Sequence, residues 1–328
     1  MNLTIGPHGE VLVADPQLGH IHMFDSSGRF VRAIGSRGEG PGEFDVPLAM
    51  GWDANSHLWV SDARGYYHVF DSTGVPVESH SHGFVTPARI TGQGAFDAEG
   101  NFLDETELRP QGSSRITVAL IRVAPDGNVI DTLPPMVGPR FDLRDRPLMA
   151  FPGAPIRGFG RNAPESVLAL ARYVPQLIFT VAPDGTLWLA YSNRYQLIQR
   201  TLVGDTIQVI DASHRPVPPL SPADERILRE GLLLVDVERA EFAYGRQLLR
   251  FIHVLADGHV MIGLEDDPGR GVSTIDILTS HGDYEGSLLL PVPLDAQSQI
   301  ASRGDTIVFV TRDALEVASV VHASIRKP

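Results

Sequence analysis

Cysteine is absent from the 328 residues of this chain, which removes disulfide staples, thiol nucleophiles and cysteine-held zinc together. Positive charge is scarce as well. Against 40 Asp and Glu stand only 27 Lys and Arg, for a formal net charge of −13, and such a surface repels a phosphate backbone or an anionic lipid headgroup. Nucleic acid and membrane are therefore disfavoured as partners. No apolar run is long enough for a bilayer-spanning helix, and the opening MNLTIGPHGEVLVAD does not read as a secretory signal. The G-x-S-x-G and H-E-x-x-H signatures of serine hydrolases and zincins are missing too.

What the chain has in quantity is turn residues, 32 Gly and 25 Pro, scattered between short apolar runs. The length suits two ordinary domains or one large all-β domain. Its densest glycine run, RGEGPGEFDVP at residues 37–47, invites comparison with phosphate loops. It lacks the third glycine of G-x-G-x-x-G and the closing G-K-[ST], and MGWDANSHLWVSD, which follows, is strand-like rather than helical. A recurring turn accounts for it better.

The recurrence is visible by alignment. GPHGEVLVADPQLGHIHMFDSSGRFVRAIG, from Gly6, lies on WDANSHLWVSDARGYYHVFDSTGVPVES, from Trp52, with Gly9 on Ser56, Asp15 on Asp62 and His22 on His68. The pattern returns in FDAEGNFLDET, VAPDGTLWLAYS, LADGHVMIGLED and SRGDTIVFVTRD, making six copies. Each copy reads as strand, tight turn, apolar strand, loop and third strand, with a fourth in FVRAIG, VPVESH, NVIDTL, IQVIDA and YEGSLLL. Four-stranded repeats of roughly 45 residues are the signature of propeller blades.

The expected fold is all-β, one six-bladed β-propeller over residues 1–328, with blades at about 1–35, 47–82, 89–134, 175–212, 247–291 and 297–326. Insertions then fill 135–174, rich in Pro and Arg, and 213–246. Within the second, SPADERILREG predicts a short helix capped by Ser221, with Pro222 first, Asp224 third and Gly231 as its stop.

Three stretches, G-x-G-P-G-E-F-x-x-P (38–47), D-x-x-x-x-L-W-V-x-D (53–62) and V-F-D-x-x-G (69–74), resemble the NHL-repeat six-bladed propellers, and the resemblance is good over residues 1–80. It implies closure of one blade by a strand from the opposite terminus. Because LEVASVVHASIRKP supplies a third strand and no fourth, a segment upstream of the sequence is expected to complete the last blade, and a leader there would make the protein extracytoplasmic. Kindred propellers of the gluconolactonase and paraoxonase type are calcium-dependent lactonases and phosphotriesterases. Their metal-ligand positions at the start of innermost strands fall here on Leu48, Gly92, Leu177 and Arg250, none a carboxylate or amide.

Other residues remain as candidates. Asp15, Asp62, Asp104 and Glu265, at or near the ends of second strands, can hold calcium if they converge on one mouth, although turn-fixing is the preferred reading of Asp15 and Asp62. His20-Ile21-His22 and His80-Ser81-His82 have chelating spacing, yet His22 matches His68 in the repeat, which favours a structural role. His253 and Arg250 share an innermost strand, His253 as general base and Arg250 as anchor for an anionic centre, against the blander possibility of a histidine bonded between blades. Tyr191, with Arg144 and Arg146 of the first insertion, is the candidate substrate-binding set. The functions in play are a hydrolase of esters, lactones or phosphotriesters acting on a small molecule at the channel mouth, with calcium as cofactor. The alternative is a non-catalytic ligand- or protein-binding propeller, and lyase chemistry is a lesser third.

Overall fold

In the computed structural model, the residues described are 2–81, 94–108, 117–136, 173, 177–211, 215, 219–235, 247–264, 272–292, 294, 300–312 and 318–325. They form a six-bladed β-propeller. Blade 1 is the antiparallel sheet β1 (Leu3–Ile5), β2 (Val11–Asp15), β3 (His20–Phe24) and β4 (Phe30–Ile34). A crossing segment follows, in which β5 (Ser36–Arg37) pairs in parallel with β6 (Glu43–Phe44). Blade 2 comprises β7 (Pro47–Trp52), β8 (Leu58–Asp62), β9 (Tyr66–Phe70) and β10 (Pro76–Ser81). Blade 3 is built from β11 (Ala95–Phe96), β12 (Phe102–Leu108), β13 (Thr117–Val123) and β14 (Val129–Thr132). Blade 4 has β15 (Leu177–Val181), β16 (Leu187–Tyr191), β17 (Gln196–Arg200) and β18 (Thr206–Asp211). Blade 5 has β19 (Leu249–Val254), β20 (Val260–Leu264), β21 (Ser273–Leu278) and β22 (Tyr284–Leu290). Blade 6 has three strands among the described residues, β23 (Ala301–Arg303), β24 (Thr306–Arg312) and β25 (Ala318–Ser324).

Side chains of a strand alternate between its two faces, and here both faces of each second strand are covered by a neighbouring blade. That is why β2, β8 and β20 read as nearly continuous apolar runs. In β8, Leu58 and Val60 pack toward blade 1 while Trp59 packs toward blade 3. Six apolar clusters result, one per seam. Leu12, Ile21 and Leu58 lie between blades 1 and 2, and Tyr67 and Phe102 between 2 and 3. Leu103 and Phe179 hold blades 3 and 4, Trp188 and Ile252 hold 4 and 5, and Phe251 and Phe309 hold 5 and 6. The ring is completed by Leu3, Val11 and Val13 of blade 1 against Val308 and Val310 of blade 6. Among the described residues, closure between blades 6 and 1 is made by apolar packing, with β1 beside β23.

The repeated turn is a local device. In blades 1 to 5 a backbone N–H three residues after the turn's first residue bonds back to its carbonyl, as in Gly9 to Gly6, Gly100 to Asp97 and Gly185 to Ala182. The third central position requires a positive φ, which glycine adopts without steric cost. Ser56 fills it in blade 2 at φ 64°, the one non-glycine described residue with a positive φ.

The glycine-rich crossing spends its own donors internally. Gly38 N donates to Phe44 O at 3.1 Å and Gly40 N to Glu43 Oε2 at 2.8 Å. A β-carbon at Gly35 would stand 2.2 Å from the Phe44 ring, so glycine here lets Phe44 enter the seam.

In the second insertion α1 (Pro222–Val235) begins as its sequence predicts: Asp224 N donates to Ser221 Oγ at 3.2 Å and Ser221 N to Asp224 Oδ2 at 2.7 Å, a reciprocal cap. The Tyr173 hydroxyl also donates to Asp224, at 2.7 Å. Gly231 does not stop the helix, which runs on to Val235. A glycine inside a helix costs only about 1 kcal/mol relative to alanine, and the leucines that follow are good helix formers. No helix among the described residues is long and apolar enough to cross a membrane. Most of the first insertion, including Arg140, Arg144, Arg146 and Arg157, lies outside the described residues.

Candidate functional site

The antiparallel order sets two ends to the propeller. Crossing segments and the loops between second and third strands lie at one, and the tight turns between first and second strands lie at the other.

Asp15 and Asp62 are at the first end, at the close of β2 and β8. Asp62 is fully buried and accepts from Asp45 N at 3.1 Å, Val46 N at 3.0 Å and Arg64 Nε at 3.2 Å, with His68 Nε2 at 3.9 Å. Burial raises its pKa, but the His68 imidazole beside it and hydrogen bonds from Val46, Asp45 and Arg64 outweigh that and bring it down to about 2. It locks the loop after β8 to the incoming crossing segment. Asp15 Oδ1 accepts from Gln17 N at 2.9 Å and Leu18 N at 3.0 Å. Asp104, inside β12, accepts the Tyr67 hydroxyl of blade 2 at 2.9 Å and Glu105 N at 2.8 Å. Glu265 lies outside the described residues. Among the described residues no three His, Asp or Glu side chains are gathered as a ready metal cage.

Tyr191, at the end of β16, is half-buried; burial raises its pKa, and the Arg194 guanidinium stands 5.4 Å from its ring centroid.

His253 lies near the other end of the propeller. On β19, Ile252 and Val254 face blade 4 while Phe251 and Leu255 face blade 6, so alternation turns His253 toward blade 6. There its Nε2 meets Ser302 Oγ of β23 at 2.6 Å. Part of the residue keeps contact with solvent, but Nδ1 is enclosed and has no hydrogen-bond partner among the described residues. Burial of the ring lowers its pKa to about 4, so the imidazole is neutral at physiological pH. Arg250, the extra residue at the register shift between Leu249 and Phe251, donates from Nη2 to Leu294 O at 3.0 Å. Three residues of strand, about 10 Å of rise, separate it from His253.

Ser302 was not a sequence candidate. Its turn copy, SRGDTIVFV, is recognisable, but nothing local shows that the innermost strands of blades 5 and 6 bring residues 253 and 302 together.

With this geometry in place, the fold and the comparisons agree on a six-bladed β-propeller. A family described as 6-bladed beta-propeller matches residues 7–50. A solved structure of a Bacteroides fragilis protein shares the fold at 12% identity, covering 95% of this chain and 79% of that one, with a TM-score of 0.53. Other solved structures similar to this chain are virginiamycin B lyase from Staphylococcus aureus (12% identity, 99% and 84% covered, TM-score 0.45) and a protein from Bacteroides caccae (12%, 88% and 80%, TM-score 0.46). No curated protein matches the chain.

Proposed function

We propose that this propeller is a hydrolase of small esters or lactones in which Ser302 is the nucleophile and His253 its general base. The observation that carries this is the 2.6 Å approach of Ser302 Oγ to an imidazole that burial keeps unprotonated. With its proton on Nδ1, the ring can accept the hydroxyl proton at Nε2 as Oγ adds to the carbonyl carbon. The imidazolium then protonates the departing alkoxide, and water releases the acyl group by the same path in reverse. Nothing among the described residues orients the ring from behind, so the unit is a dyad. It lies near the end of the propeller formed by the first-to-second-strand turns. Arg250 serves farther along the strand as an anchor for a distal anionic group.

The test pairs turnover with covalent labelling. A panel of p-nitrophenyl esters, lactones and phosphotriesters is assayed with the wild type, Ser302→Ala and His253→Gln, with and without chelator, while a fluorophosphonate probe is mapped by mass spectrometry. Labelling at Ser302 and a loss of at least about 100-fold in each variant are expected. Calcium assistance, if it operates, shows as chelator sensitivity. No label and no turnover across the panel would sink the hydrolase and favour a non-catalytic ligand-binding propeller.

A further inference from the structure

Blades 1 and 2 carry the same residues at the end of the second strand and in the third strand, in two different settings. In blade 2, His68 is buried under Phe44, with ring centroids 5.1 Å apart, and Asp62 is consumed by backbone donors of the crossing segment. Tyr66 holds the position two residues before His68. In blade 1 the corresponding residues are His22, Asp15 and His20, and the aromatic neighbours of His22 are Phe24 and Phe30 of its own sheet, at 6.3 and 5.9 Å between ring centroids. The His22 side chain keeps 31% of its surface exposed and Asp15 keeps 16%.

His20 and His22 project from the same face of β3, and Asp15 is the cross-strand partner of His20. The two Nε2 atoms stand 3.2 Å apart, and His22 Nε2 is 3.7 Å from Asp15 Oδ2. Two imidazoles bound to one tetrahedral zinc at about 2.0–2.1 Å have their nitrogens about 3.3 Å apart. The two rings share a hydrogen bond at that distance, and an ion binding both nitrogens takes the place of its proton with little change in their separation.

We infer that His20 and His22 form a chelate for one late first-row divalent ion of the zinc, nickel or copper type, with Asp15 Oδ2 drawn in as a third donor. Imidazole nitrogen with a single carboxylate oxygen suits such ions better than calcium or magnesium. The carboxylate is already oriented, because Oδ1 is held by Gln17 N and Leu18 N and leaves Oδ2 toward the imidazoles. The site is on the face of blade 1 turned toward blade 6, whose third strand β25 is the outermost described there.

Tag-free protein is titrated with zinc by calorimetry and with cobalt(II) by absorption spectroscopy, alongside His20→Ala, His22→Ala, Asp15→Asn and the exposed control His281→Ala. One equivalent is expected in the wild type and control, with at least tenfold weaker binding in each histidine variant and a smaller loss in Asp15→Asn. All these side chains are partly or wholly exposed, and circular dichroism confirms that the variants fold. Undiminished binding in the His20→Ala, His22→Ala double variant, or no ion bound by the wild type up to millimolar metal, would overturn the assignment.

Discussion

Phe44, carried in by the crossing between blades 1 and 2, stands edge-on to His68 with ring planes at 89°. It also meets Phe70 at 5.7 Å and is fully buried in the seam cluster. One side chain thus seals both the apolar seam and the polar pair of His68 and Asp62. Phe44→Ala is expected to cost about 3–5 kcal/mol by urea unfolding, and Phe44→Leu markedly less. Equal stability of Phe44→Ala and wild type would show that the crossing does not hold the seam.

Asp62 makes acid stability a second test. A carboxylate whose folded pKa is depressed contributes stability that is complete above its unfolded value and is lost as pH falls through the folded one. For Asp62 that window runs from 3.8 down to about 2. Asp62→Asn should lower the urea midpoint at neutral pH and flatten the wild-type decline within this window.

Ser56 sits in a left-handed conformation that costs an ordinary residue roughly 1–2 kcal/mol, at a place where the equivalent turns use glycine. After allowing for glycine's greater freedom in the unfolded chain, Ser56→Gly is expected to stabilise by about 0.5–1 kcal/mol. Gly100→Ala, at φ 83° with open space around its missing β-carbon, should shift stability by a similar amount in the opposite direction. A Ser56→Gly protein that unfolds at lower urea would refute the conformational explanation.

His253 titrates in the opposite sense to a histidine that gains an acidic partner. Its folded pKa is lowered from 6.5 to about 4 by burial, so protonation favours the unfolded chain. Stability contributed by the neutral ring is complete above pH 6.5, declines as pH falls toward about 4 and levels off below. His253→Asn should show a shallower loss of melting temperature across that interval. An unchanged slope would mean that the ring is not held neutral by the fold.

Much of this was legible before any coordinates. The Asp-x-x-Gly turns, the alternation of the strands and the helix cap at Ser221 depend on bonds spanning four residues or fewer, and such bonds leave their mark directly in residue order. The length of α1 was less legible, because Gly231 disfavours a helix only modestly and its neighbours decide. The partner of His253 could not be read, since Ser302 is 49 residues away along the chain; the chelating spacing of His20 and His22 was visible, but not that Asp15 stands beside them.

The amino-acid order alone therefore determined that six sheets of one kind would form, since turn chemistry and period-2 burial are properties of short segments. Tertiary structure decided how deeply each copy is covered. Burial of a side chain depends on what the neighbouring blade presents, and blades 1 and 6 meet only when the ring closes. Identical residues thus end in different settings, Asp62 and His68 sealed under Phe44 and Asp15 and His22 partly exposed.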